Sequence, residues 1–296
     1  MTHRILLPAL IGSHPLAALA SFGLLRVVHQ WDPSTKLGFI LQDDWVAYLD
    51  SSQFDSLESL MPKLVEWIGS GDQDRLLDWA PDIRVEPNVY RSRLDQAIDQ
   101  GDISFAGWLS ALAGYGAQDK QKGLIKPSAF YMVSGQQSFL RGAREILAQL
   151  RTATAPLILE ALQGPWTYQI PLHSLGWDPN TERLHALRGR APTSEKPSCI
   201  AAAVLLAMHA LPLYPVVSNM GRAYTTGFRH DKKRENHFSW PVFSTPLGLP
   251  DLRSLVQTAA WRASDERIRS GVAAVFSSRR SEFGQGYAVF RAAQTE

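Results

Sequence analysis

Apolar positions recur at helical spacing over residues 15–30, where Leu16, Leu19, Phe22, Leu25 and Val28 share one face. Pro15 suits the first turn of that helix. Residues 36–41 and 45–49 are short runs of apolar and aromatic residues, which predicts two strands with Asp43 and Asp44 at the turn between them. Helical periodicity returns over 54–69, with Leu57, Leu60, Leu64, Trp67 and Ile68 on one face. Residues 91–116 predict two helices broken at Gly101-Asp102, Asp102 being a good cap for the second. A strand is expected over 125–133, a helix opening at Ser134-Gly135 and running to about 150, and a short helix over 156–162.

The segment 164–197 breaks this rhythm. It is rich in Pro, Gly and Trp and reads as irregular structure with short strands, the kind of connection on which function often resides. Residues 199–211 predict an apolar helix. Two strand-like pieces, RAYTTGF and FSWPVF, flank the polar loop RHDKKRENH within 222–245. Residues 249–258 and 264–270 are helical candidates, and a closing hairpin is expected around 279–285. Helices and strands alternate irregularly, so the expected class is α+β, with mixed helices and short antiparallel strands around an irregular middle.

Charge divides the chain. Residues 1–120 hold 9 Lys and Arg against 16 Asp and Glu, a net of −7; residues 121–296 hold 21 against 12, a net of +9. Two regions follow: an acidic, mainly helical 1–120 with a short hairpin, and an Arg-rich α+β region 121–296, with one continuous domain as the alternative. Sixteen of the 21 basic residues in the second region are Arg, the side chain suited to planar, bidentate phosphate contacts. The asymmetry points to a polyanion at one end, or to two halves that attract each other.

The single cysteine, Cys199, excludes an internal disulfide framework and a thiolate zinc site, and its apolar setting predicts a packing role in a reducing compartment. No convincing signal peptide opens the sequence, and the longest apolar run, 199–213, is too short to span a bilayer. A cytoplasmic location without membrane contact is expected. Phosphate-loop, dinucleotide, HExxH and GxSxG patterns are absent, so no cofactor, metal or catalytic residue is assigned. A divergent nuclease would have only Asp43, Asp44, Asp178 and His237 to draw on.

Three groups carry binding chemistry. In SGQQSFLRGAR, Gln136 and Gln137 stand beside an expected helix start, with Arg141 and Arg144 on neighbouring helical positions. In 221–241, Arg222, Arg229, Lys232, Lys233 and Arg234 are interleaved with Tyr224, Phe228 and Trp240, while Thr225, Thr226 and Gly227 offer backbone N–H groups to a phosphate. Arg183, Arg188 and Arg190 follow the GWDP turn. Each group also reads as a solvated basic face with core aromatics nearby.

These stretches carry a resemblance. PLAALASFGLLRVV, FYMVSGQQSFL, LQGPWTY, SLGWDPNTERLHALRGRAP, ALPLYPV, TTGFR and FSWPVFSTPL together resemble CRISPR-associated proteins of type I systems, subtype I-U (I-G). The resemblance implies a large-subunit-like subunit or accessory of the RNA-guided surveillance (Cascade) complex in antiviral defence. Its partners would be other effector subunits and crRNA or target DNA, held through the backbone while guide pairing reads sequence. A scaffold of the same system with no direct nucleic-acid contact is the alternative.

Overall fold

The computed structural model describes residues 2–133, 137–181, 197–230, 235–258, 260–263, 267, 270–283 and 287–296. In chain order the first elements are β1 (His3–Ile11), α1 (Pro15–Val28), β2 (Lys36–Leu41), β3 (Trp45–Ser51), α2 (Leu57–Gly69), α3 (Gly71–Leu77), α4 (Pro87–Asp99) and α5 (Ile103–Leu112). The middle holds β4 (Ala113–Gln118), β5 (Ile125–Pro127), α6 (Phe139–Thr152), α7 (Thr154–Gln163) and α8 (Ala201–Ala210). Then come β6 (Val216–Asn219), β7 (Arg222–Thr225), β8 (Phe228–His230), β9 (Asn236–Phe243), β10 (Leu247–Gly248) and α9 (Leu249–Thr258). The last strands are β11 (Val272–Phe283), β12 (Tyr287–Phe290) and β13 (Gln294–Thr295). Among the described residues all strand pairs are antiparallel, and the class is α+β.

Helices α1 and α8 form the centre. Every residue of α8 is buried, and so is every residue of α1 except Arg26, which is half-buried with its guanidinium Nε out of solvent. The two helices approach so closely at Gly23 that a Cβ there would lie 1.7 Å from the Leu206 carbonyl oxygen. One sheet, ordered β1-β3-β2-β10, covers this pair, and the second is ordered β12-β11-β9-β8, with β13 also on β11. Phe22 of α1, Phe39 of β2 and Phe243 of β9 join the layers, with ring centroids 5.5–6.4 Å apart. The main hydrophobic cluster runs from Ile5 to Phe290, through both charge regions, and a small second one joins Trp261, Val272 and Val275.

The expected hairpin at 36–49 is therefore the middle of a four-stranded sheet. Its outer partner β1 escapes the alternation rule because a register shift lies between Leu7 and Ile11, which changes the phase of the buried positions Ile5, Leu7 and Leu10. Its other edge, β10, comes from the Arg-rich region. The expected strand 125–133 shrinks to Ile125–Pro127, because residues 128–133 turn inward as buried loop. The second helix of 91–116 stops at Leu112, where the chain turns directly into β4. Helix α6 starts at Phe139, where Ser138 supplies the cap: its hydroxyl accepts from the Arg141 N–H at 3.3 Å; the expected start at Ser134-Gly135 lies outside the described residues. The expected helix at 264–270 falls largely outside the described residues.

Candidate nucleic-acid interface

Strands β6 and β7 form a two-residue hairpin whose turn, Met220-Gly221, has positive φ at both positions (48° and 71°), the geometry that fits strand twist. Register places Val217 opposite Tyr224 and Asn219 opposite Arg222, all four on the solvent face. Beside this hairpin lie β4 and β5 and the loop between them. In that loop the Asp119 carboxylate accepts from the backbone N–H groups of Gln121 (2.8 Å) and Lys122 (2.9 Å). The Lys122 and Gln121 hydrogen bonds, in that order, hold Asp119 below the usual carboxylate range.

Between the hairpin, β5, the 128–131 segment and β11 opens a cleft of about 830 Å³. Arg84, Lys122, Lys126, Arg222 and Arg280 line it, against Asp119 as the one carboxylate among the described residues. Arg280 is committed: it pairs with Glu282 and donates to the carbonyls of Ala129 (3.0 Å) and Tyr131 (3.3 Å). Among the described residues the other four cations have no carboxylate at ion-pair distance. Arg84 stacks on the buried Tyr131 ring, 4.6 Å from its centroid, and both residues line the cleft. Tyr224 is 47% exposed on the cleft wall. Unpaired cations around an exposed aromatic offer charge to phosphates and a stacking face to a base.

No protein-family model and no curated protein matches the chain.

Of the residues singled out from sequence, Arg222 lines the cleft, with Lys232, Lys233 and Arg234 outside the described residues. The TTG stretch faces inward. The Thr225 hydroxyl accepts from the Ala129 N–H at 2.7 Å, and Thr226 donates from both its hydroxyl and its N–H to the Pro215 carbonyl. Gly227 has φ 84° with Phe238 and Tyr214 3.0 Å from the position of a Cβ, so it serves the turn. Arg229 pairs with Glu296. Trp240 is buried and Phe228 half-buried among core aromatics, so of the three interleaved rings only Tyr224 is exposed.

The 134–144 group divides. Gln137 and Arg141 are exposed, Arg141 pairing with Glu145 at 3.0 Å; Gln136 lies outside the described residues. Arg144 instead donates to the carbonyls of Leu77 (2.8 Å), Ala80 (3.3 Å) and Pro81 (3.2 Å). Arg183, Arg188 and Arg190 are likewise outside the described residues. Arg84, Lys122, Lys126 and Tyr131, which also line the cleft, belong to none of these groups. Lys122 and Lys126 were visible as the run DKQKGLIKP, whereas nothing local marks Arg84.

The four residues considered for a nuclease do not form one cluster. Asp44 hydrogen-bonds Ser13, and the fully buried Asp178 lies 3.4 Å from the next residue, His14. His237 sits in β9, paired in register with Arg279. Among the described residues no group of three metal-ligating side chains occurs, and no helix is long and apolar enough to cross a membrane.

Proposed function

We propose that the protein is a non-catalytic nucleic-acid-binding subunit of a type I CRISPR surveillance complex, contacting the backbone of crRNA or target DNA through the cleft around Arg84, Lys122, Lys126 and Arg222. The observation that carries this reading is the set of four unpaired cations around Tyr224 in one cleft. The family resemblance supplies the setting. Filter binding of single-stranded RNA and DNA across a salt series tests it. Four phosphate contacts to a single strand give a slope of log K against log salt of about −3. Absence of binding by both the isolated chain and the assembled complex overturns the reading.

A second reading, a scaffold of the same system without nucleic-acid contact, has its own support. Arg151 forms a two-pronged pair with Asp74 (2.8 and 2.9 Å), and Arg144 lies 3.6 Å from Asp78. Part of the charge asymmetry is thus neutralised within the molecule. Met220, 96% exposed at the hairpin tip, and Val217 beside it offer apolar contact to a protein.

A further inference from the structure

A second cleft, of about 660 Å³, opens between the ends of α1 and α8, helix α5 and helix α9, and shares no residue with the basic cleft. Its inner wall is neutral. His209 at the end of α8 is held between Trp67 (centroid 4.7 Å, edge-on) and Trp108 (6.3 Å, stacked), and its Nε2 meets the Gln73 side-chain oxygen at 2.9 Å. Burial, then the charge of Arg26, lowers His209 to about 3, so the imidazole is uncharged.

Against this wall stands an uncompensated cation. Arg26, from the last turn of α1, donates Nη1 to the His209 carbonyl, but its Nε is buried with no hydrogen-bond partner. His29, one turn on, has its Nδ1 buried and unpartnered as well, and both residues line the cleft. Arg253 of α9 approaches from the other side, near enough that its charge opposes that of Arg26. Two further charges at the rim do not cancel this. Arg75 is paired with Asp102, and Asp72, the one carboxylate lining the cleft among the described residues, is solvent-exposed. One carbonyl and the negative ends of two helices offset part of the cost of burying Arg26. A second cation beside it adds to that cost, and an unpaired buried charge is destabilising. A dianion between Arg26 and Arg253 relieves the mismatch, and guanidinium groups match phosphate oxygens in geometry.

We propose that this cleft binds a small phosphate-bearing ligand, its phosphate held by Arg26, Arg253 and His29. Free phosphate and a phosphate monoester share this chemistry. The inference is independent of the nucleic-acid reading.

Thermal unfolding of the full chain is measured with inorganic phosphate and, separately, adenosine monophosphate, against chloride at matched ionic strength. At least one of the two raises the midpoint saturably, as binding to the native state requires. Arg253→Gln, at an exposed position that leaves the core intact, weakens this binding by about tenfold or more, the loss expected for a charge-assisted contact. Lys63→Gln, at an exposed position in neither cleft, leaves it unchanged. A response to both ligands no larger than to chloride overturns the inference. So does equal affinity in Arg253→Gln, or an equal loss in Lys63→Gln, which makes the effect one of net charge alone.

Discussion

The Arg84 guanidinium lies 4.6 Å from the centroid of the Tyr131 ring, whose hydroxyl donates to Asp82 at 2.6 Å. Asp82 also accepts from the Phe139 N–H at 3.0 Å, so one carboxylate links the floor of the basic cleft to the start of α6. Burial, followed by the hydrogen bond to Asp82, pushes the Tyr131 hydroxyl above its ordinary range, so it stays a neutral donor. The stacked arginine is thus presented on a fixed platform.

That platform predicts how binding responds to substitution. On the proposed function, Arg84→Ala and Arg222→Ala each weaken single-stranded nucleic-acid binding and reduce the magnitude of the salt slope by about 1. Tyr224→Ala costs about 1–3 kcal/mol of affinity and leaves the salt slope unchanged, because stacking carries no counterion release. Filter binding at three or more salt concentrations separates the two effects. Identical slopes for parent and arginine variants exclude phosphate contact by those side chains.

Arg141 and Arg144 are three residues apart on one helix yet differ in role. Arg141 is exposed and paired only with Glu145 on its own helix, a contact of little worth. Arg144 satisfies the carbonyls at the end of α3 and in the 80–81 turn. Arg144→Ala therefore lowers unfolding stability by about 1–3 kcal/mol, while Arg141→Ala changes it by about 0.5 kcal/mol or less. Chemical denaturation of both variants is the check, and equal stabilities contradict the assigned roles.

These contrasts show what was legible in the sequence. Helices α1, α2 and α9 declare themselves because each buries one regular stripe or is buried throughout. Strands β2 and β3 declare themselves because a tight acidic turn separates two apolar runs. The cleft does not, since Arg84, Lys122, Lys126 and Arg222 come from separate segments and meet only through the packing of β4, β5 and the hairpin. The aromatics of 221–241 misled for a related reason. From Phe238 onward β9 is buried on both faces, and a strand covered on both sides loses the alternation that distinguishes outward from inward rings.

Gly23 gives a prediction that depends on backbone geometry alone. A methyl group there would lie 1.7 Å from the Leu206 carbonyl oxygen and 3.1 Å from the Ala210 nitrogen, both backbone atoms. Neither helix can yield locally, because both are buried almost along their whole length. Gly23→Ala therefore destabilises by more than about 3 kcal/mol despite the higher helix propensity of alanine. Thermal unfolding of the variant tests this, and a midpoint equal to the parent's contradicts the close α1–α8 contact.

Cys199 is fully buried where the chain enters α8, and burial, then the charges of Asp178 and Glu160, pushes its thiol up to about 12. At pH 8 the folded protein should be inert to a thiol-specific disulfide reagent, and the unfolded chain should release one equivalent. Rapid stoichiometric reaction of the folded protein would place this thiol at the surface.

His209 links burial to acid stability. Its ordinary value is 6.5 and its folded value is about 3, so between these pH values the unfolded chain binds a proton that the folded chain refuses. The contribution is fully present above pH 6.5 and is lost progressively as pH falls toward 3; its size is of order a few kcal/mol. Carboxylates titrate in part of the same window, so the diagnostic quantity is the difference between two proteins. His209→Leu leaves the Gln73 oxygen without its partner and lowers stability at pH 7 by about 1–3 kcal/mol. It also removes the proton-linked part of the slope between pH 6.5 and 4.5. Urea unfolding at those two pH values should show parent and variant converging as pH falls. Parallel losses in the two proteins would mean that the imidazole is charged and hydrated in the fold, contrary to its place between Trp67 and Trp108.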